Sequence, residues 1–254
     1  MAVANQKGGV AKTTTVATLG AALAERGQRV LLVDLDPQAC LTFSVGIDPE
    51  DLDKSMHHVM LGGVKAREVL IEFEDSPDLL PATIELATAE VQLARETGPE
   101  QVLRTTLRPL RSSYDWIIID CPPTLGLLTV NGLSAASDVL IPLQCETLAH
   151  RGVGQLLDTI HDVQRLTNPG LNVLGVLPTL YDGRTTHARA VLETIADTYS
   201  LNVLAPAIPK SIRFAEAPAA GASILRTTKS HRGAEAYREL AGNLLRRQQP
   251  SAAS

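Results

Sequence analysis

Two runs in this chain, VLLVD at residues 30–34 and WIIID at residues 116–120, stay apolar until each closes on an aspartate. A strand with one face in water alternates apolar and polar residues. An unbroken apolar run is buried on both faces, as in a parallel sheet covered by helices. The rest of the chain agrees. Strands are expected at Ala2–Asn5, Arg29–Asp34, Asp78–Pro81, Asp115–Asp120, Val139–Leu143, Leu171–Leu177 and Asn202–Leu204. Helical patterns lie between them at Thr13–Arg26, Ile84–Arg95, Gln101–Leu110, Gly126–Ala136, Gly152–Leu166 and Thr185–Tyr199. This alternation predicts an α/β fold, a twisted and mostly parallel sheet with helices on both faces. No repeat or long linker divides the 254 residues, so one domain is expected over 1–247, with a frayed tail at 248–254.

Aromatic residues make up only 3% of the chain, so the core must be built from Ala, Val, Leu and Ile. No apolar run approaches the roughly 18 residues of a membrane span, and the start has no secretory pattern. A cytoplasmic protein that makes no membrane contact is the expectation. Cys40, Cys121 and Cys145 are odd in number and widely spaced, which reads as free thiols. The net charge of −5 argues against nucleic acid, but the charge is uneven. Residues 201–254 carry eight Lys and Arg against three Glu, which leaves −10 on residues 1–200. That basic end reads equally as an electrostatic footprint or as a solvated helix face.

The segment N-Q-K-G-G-V-A-K-T-T-T, residues 5–15, follows the first strand and opens the first helix. A phosphate loop needs this context. Glycines let backbone N–H groups turn inward, and the helix start adds partial positive charge. Lys12 can reach β- and γ-phosphates, and the Thr13 hydroxyl can ligate Mg²⁺. The usual pattern G-x-x-x-x-G-K-[ST] is not met, because Gln6 and Ala11 fill its glycine positions. An extra lysine, Lys7, precedes Gly8 and Gly9 instead.

This K-G-G-x-x-K-T string is a deviant Walker A motif, and it resembles the ParA/MinD/nitrogenase-iron-protein superfamily. The resemblance implies a P-loop ATPase that uses ATP/ADP and Mg²⁺. Residues Lys7, Gly8, Gly9, Val10, Ala11, Lys12, Thr13 and Thr14 would form its nucleotide cradle. It also implies that Lys7 reaches a partner subunit's nucleotide, so that the protein is a homodimer when ATP-bound. The family usually has Gly where this chain has Ala11, and strain is expected if that position needs φ > 0.

Two acidic motifs follow in order, L-L-V-D-L-D-P-Q at 31–38 and W-I-I-I-D-C-P-P at 116–123. By the same resemblance Asp36 belongs to switch I, where it orients the attacking water and holds Mg²⁺ through water. Asp34 and Gln38 would support it. Asp120 closes its strand as a Walker B carboxylate does, and residues 121–126 look like switch II, with Cys121 as packing. Lys7, Lys12 and Asp36 are thus the catalytic candidates, and Thr13, Asp36 and Asp120 the metal candidates.

Segments 178–189, 208–218 and 229–237 resemble Soj-type chromosomal ParA proteins. In that branch the I-P-[KR] turn packs on adenine, which points to Pro209. The matching arginines, Arg184 and Arg213, would bind duplex DNA non-specifically through phosphates. A ParB-like activator protein is the implied partner, in chromosome or plasmid segregation on the nucleoid. The loop at 140–154 departs from the family, with Arg151 where an acidic residue is usual. Near the C-terminus, Tyr237, Leu240, Ala241, Leu244 and Leu245 fall on one helical face, the pattern of a helix docked on the body. Two other readings stay open: a MinD-like or orphan ParA-like positioning ATPase, and a non-hydrolysing nucleotide-dependent scaffold.

Overall fold

The computed structural model describes residues 1–146 and 149–248. From residue 249 onward the expected tail lies outside the described residues. Six strands form one sheet: β1 Ala2–Val3, β2 Val30–Asp34, β3 Asp78–Leu80, β4 Trp116–Asp120, β5 Asp138–Gln144 and β6 Asn172–Thr179. Their order is β3-β2-β4-β1-β5-β6, and every pairing is parallel. All six carboxyl ends therefore lie along one edge. The chain winds outward from β1 in both directions, and the crevice at such a reversal is where open α/β sheets bind ligands.

Side chains alternate across each strand and divide the core into two layers. Leu31, Val33 and Ile119 face one layer, and Leu32, Ile118 and Leu140 face the other. Among the described residues six helices reach eight residues: α1 Lys12–Ala24, α2 Leu86–Leu93, α3 Leu127–Ala135, α4 Ala149–Leu166, α5 Thr186–Tyr199 and α6 Arg232–Gln248. Helices α1 and α6 cover the Leu32 side through Val16, Leu19, Tyr237 and Leu240. Helices α2, α3 and α4 cover the Leu31 side through Leu86, Leu128 and Val153. Tyr237, Leu240, Ala241 and Leu244 are buried, so α6 docks by the face read from sequence, with Leu245 only half-buried.

The structure trims several expected elements. The run Gln101–Leu110 is α-helical only over Val102–Leu107 and ends as a 3-10 turn at Arg108–Leu110, because Pro109 cannot continue the helical hydrogen bonding. The strand expected at Asn202–Leu204 is reduced to a single bridge between Val176 and Val203. The chain comes close there because Gly175 has no Cβ, which would strike the Asn202 carbonyl. Pro178 and Pro206 have no N–H to donate, so the ladder stops before a second bridge joins Tyr181 to Pro209.

Candidate functional site

Three strand ends meet at the middle of the carboxyl edge. Asp120 is in register with both Val3 and Asp34, so the start of the phosphate loop lies beside two carboxylates. The loop turns through two left-handed residues, Gly9 at φ 73° and Ala11 at φ 65°. Glycine adopts that conformation freely. Alanine does so at a cost of about 1 kcal/mol. The expected strain at Ala11 is therefore present, and the residue serves as N-cap of α1.

Three side chains hold the loop. Asn5 Nδ2 donates to the Pro142 carbonyl (2.7 Å), and its Oδ1 accepts the Lys7 N–H (2.9 Å). Thr179, at the end of β6, donates its hydroxyl proton to the Val10 carbonyl (2.9 Å). Lys12 curls back so that Nζ donates to the Lys7 carbonyl (3.1 Å). Burial lowers the Lys12 pKa, and the nearby Asp120 and Asp36 charges oppose that shift. Val10 is itself buried, so only its backbone faces the loop interior.

The carboxylates divide their work. Asp34 is fully buried and accepts from the Thr42 N–H (2.9 Å), the Thr42 hydroxyl (2.8 Å) and the Asp36 N–H (3.1 Å). Burial still pushes its carboxyl up to about 6. Asp36 follows, its Oδ1 accepting the Gln38 N–H (3.0 Å). Asp34 thus organises the turn that presents Asp36.

Asp120 is fully buried, and neither of its carboxylate oxygens has a hydrogen-bond partner. Burial and the neighbouring Asp34 push its carboxyl well up, while the Thr13 hydroxyl, which is near but outside hydrogen-bond geometry, and the Lys12 charge draw it down. An orphaned buried carboxylate is costly unless a cation or donor completes it. A Mg²⁺ ion that keeps its waters fits this donor set, with Thr13 and Asp120 as neighbours.

A cleft of about 1060 Å³ opens over the loop, lined among others by Gly8, Gly9, Lys12, Thr13, Asp36 and Pro209. The sequence-predicted cradle and Pro209 therefore meet in one place. Lys7 does not line this cleft. Its Nζ is paired with Glu146 Oε2 at 2.5 Å, at the end of β5. A second cleft, of about 900 Å³, lies beside Ala21, Glu74 and Arg226, away from the loop and from Asp120.

Arg184 and Arg213 lie apart from the cradle. Arg184 sits in the turn before α5, exposed and bonded to Asp182 (3.0 and 3.1 Å). Arg213 opens a short helix at Arg213–Glu216 and pairs with Glu216 (2.8 Å). Their two segments are joined where the Tyr181 N–H donates to the Ile208 carbonyl (2.9 Å).

A glycine loop that enters a helix beside an orphaned strand-end carboxylate can grip a polyphosphate together with a divalent cation, and this makes the protein a P-loop nucleotide-binding protein. Residues 1–173 match the family described as the AAA domain. The sporulation initiation inhibitor protein Soj of Bacillus subtilis is 42% identical over 242 residues, spanning 95% of this chain and 96% of that protein. The chromosome-partitioning ATPase Soj of Thermus thermophilus is 43% identical over 249 residues, 98% of this chain and 96% of its own. Among solved structures, a Mycobacterium smegmatis protein described as cobyrinic acid a,c-diamide synthase, with bound ADP and magnesium, is 57% identical. It covers 96% of this chain and 93% of its own, with a TM-score of 0.86. The septum site-determining protein MinD of Pyrococcus horikoshii, complexed with Mg-ADP, is 25% identical with a TM-score of 0.77, covering 96% of this chain and 94% of its own. The chain belongs to the ParA/Soj family of chromosome-partitioning ATPases.

Proposed function

We propose that this chain is a nucleotide switch: it binds MgATP, pairs with a second copy, and sits on duplex DNA without reading sequence. Slow hydrolysis, stimulated by a ParB-like partner, releases it. The observation that carries this reading is the place of Lys7. It belongs to the phosphate loop, yet its side chain stands outside the loop's own cleft and is held by Glu146. A lysine so placed is available to the nucleotide of a second copy.

The chain's own groups have distinct tasks. Loop N–H groups and Lys12 bind phosphate, Thr13 and Asp120 face the metal, and Asp36 orients water for attack on the terminal phosphorus. Thr13 and Asp120, with Asp36 through water, would hold a Mg²⁺ ion, which would supply neutralisation of phosphate charge. Pro209, on the wall of the cleft, packs on the base. Arg184 and Arg213 give the DNA contacts; they are two cations per copy, doubled in a dimer. The family supports ATP as the ligand, and the ADP and magnesium bound in the relatives support an adenine nucleotide. The proposed setting is the cytoplasm, on the nucleoid.

Phosphate release, measured with and without duplex DNA and a ParB-like protein, tests the proposal. A slow basal rate that rises when both are added is expected. ATP binding without any turnover would favour a non-hydrolysing scaffold.

A further inference from the structure

Glu90 lies on α2, outside the nucleotide cleft, yet its carboxylate reaches the start of α3. Oε1 accepts the N–H of Leu128, the second residue of that helix, at 3.2 Å. The first N–H groups of a helix have no partner within it. The cap residue here is Gly126, which has no side chain to supply one. A carboxylate is the favoured substitute, because the helix start is partly positive.

Gly126 is explained by the same contact. Its backbone, at φ −77° and ψ −171°, is open to every residue, so conformation does not require glycine. A Cβ at that position would run into Glu90 Oε1. The missing side chain makes room for the carboxylate.

The segment so held is the loop between Asp120 and α3. Its near end is fixed by the sheet, through the Cys121 N–H to the Val3 carbonyl (3.2 Å). Its far end has the Thr129 hydroxyl on the Thr124 carbonyl (2.6 Å), a bond internal to loop and helix. Glu90 adds a tie from another element, and Pro123 of this loop lines the nucleotide cleft.

We propose that Glu90 is a positioning residue for hydrolysis: through the Leu128 N–H and the space at Gly126, it holds the Pro123–Gly126 segment in place, and with it Pro123 against the cleft. This rests on the ATPase reading above. Glu90 touches no phosphate, so its removal leaves nucleotide binding to the loop and Lys12 and disturbs the catalytic arrangement instead.

Four variants and two readouts test this. Amide hydrogen exchange is followed at Leu128 in nucleotide-free protein, and steady-state hydrolysis gives kcat and KM. Glu90→Ala should speed exchange at Leu128 about tenfold, the effect of removing one hydrogen bond. It should lower kcat about tenfold or more, with KM for ATP within about twofold. Glu90→Gln keeps an acceptor oxygen and should restore both readouts. Gly126→Ala should reproduce Glu90→Ala by expelling the carboxylate, and the double variant should be no worse than either single one. Parent-like exchange and kcat in Glu90→Ala, or additive effects in the double variant, would overturn the assignment. A parent protein that does not turn over ATP would instead sink the ATPase reading, and the exchange and double-variant results would still judge the contact.

Discussion

Lys7 Nζ and Glu146 Oε2 lie 2.5 Å apart, although 139 residues separate them in sequence. The pair joins the phosphate loop to the end of β5, and both side chains are partly exposed. An exposed ion pair contributes about 0.2–1 kcal/mol, little enough to be given up for a stronger anion. Glu146 therefore parks Lys7 in the single chain without locking it there. Glu146→Gln should shift the midpoint of ATP-driven dimerisation to lower protein concentration, by about fivefold at most for each of the two Lys7 side chains, or about thirtyfold for the dimer. Lys7→Ala should leave MgATP binding partly intact and abolish activator-stimulated turnover. Dilution series followed by light scattering, with phosphate release alongside, check both; a higher midpoint in Glu146→Gln would contradict the parking role.

Ala11 holds φ 65°, a conformation that costs alanine about 1 kcal/mol more than glycine. Ala11→Gly should therefore stabilise the protein by about 0.5 kcal/mol at most, after the entropy glycine adds to the unfolded chain. In a chain of this size that is a rise of about 1–2 °C in Tm. A calorimetric scan that shows a fall would mean the Ala11 methyl makes packing contacts worth more than the strain.

Asp120 keeps two unpartnered oxygens in the core, which costs stability. Asp120→Asn replaces a buried ionisable group with a neutral one. It should raise the stability of nucleotide-free protein by about 1–3 kcal/mol. The same variant should forfeit most of the thermal shift that MgATP gives the parent. Thermal unfolding with and without MgATP reads both effects. An Asp120→Asn protein that is less stable alone, or that responds fully to MgATP, would remove Asp120 from the metal site.

Arg213 is bonded to Glu216, so its charge is partly answered within the chain. Arg213→Glu should weaken duplex binding equally on unrelated sequences and leave ATP-driven dimerisation intact. It should also flatten the log–log salt dependence by roughly 0.9 for each DNA phosphate that the arginine neutralises in the parent. Fluorescence anisotropy across several salt concentrations measures this. Parent-like affinity and slope would take Arg213 out of the DNA site.

Much of this architecture could be read from the sequence because it rests on local pattern. The runs ending at Asp34 and Asp120 are apolar throughout because both faces are buried, and that alone placed the two carboxylates at strand ends. The strain at Ala11 was foreseen only as a condition, because the resembled family has glycine at that position. The docked face of α6 followed from its period. The residues that hold the site were not legible. Asn5 reaches Pro142 across 137 residues, Thr179 reaches Val10 across 169, and Glu90 reaches Leu128 across 38. Such polar contacts between distant segments carry no periodicity. The one available signal was position: Asn5 and Thr179 stand at the carboxyl ends of strands, where a parallel sheet gathers its site. The strand expected at Asn202–Leu204 failed for a related reason, since its apolar residues were visible but the interrupted ladder beyond them was not.

The central claim is that ATP, and not ADP, joins two copies. Asp36→Ala is the form in which to test it, because removing water orientation should slow turnover while the phosphate cradle stays whole. Light scattering on this variant, with MgADP and then with MgATP, measures the mass directly. The account predicts a single chain of 27.1 kDa with MgADP and about twice that with MgATP. The same mass with both nucleotides would contradict it.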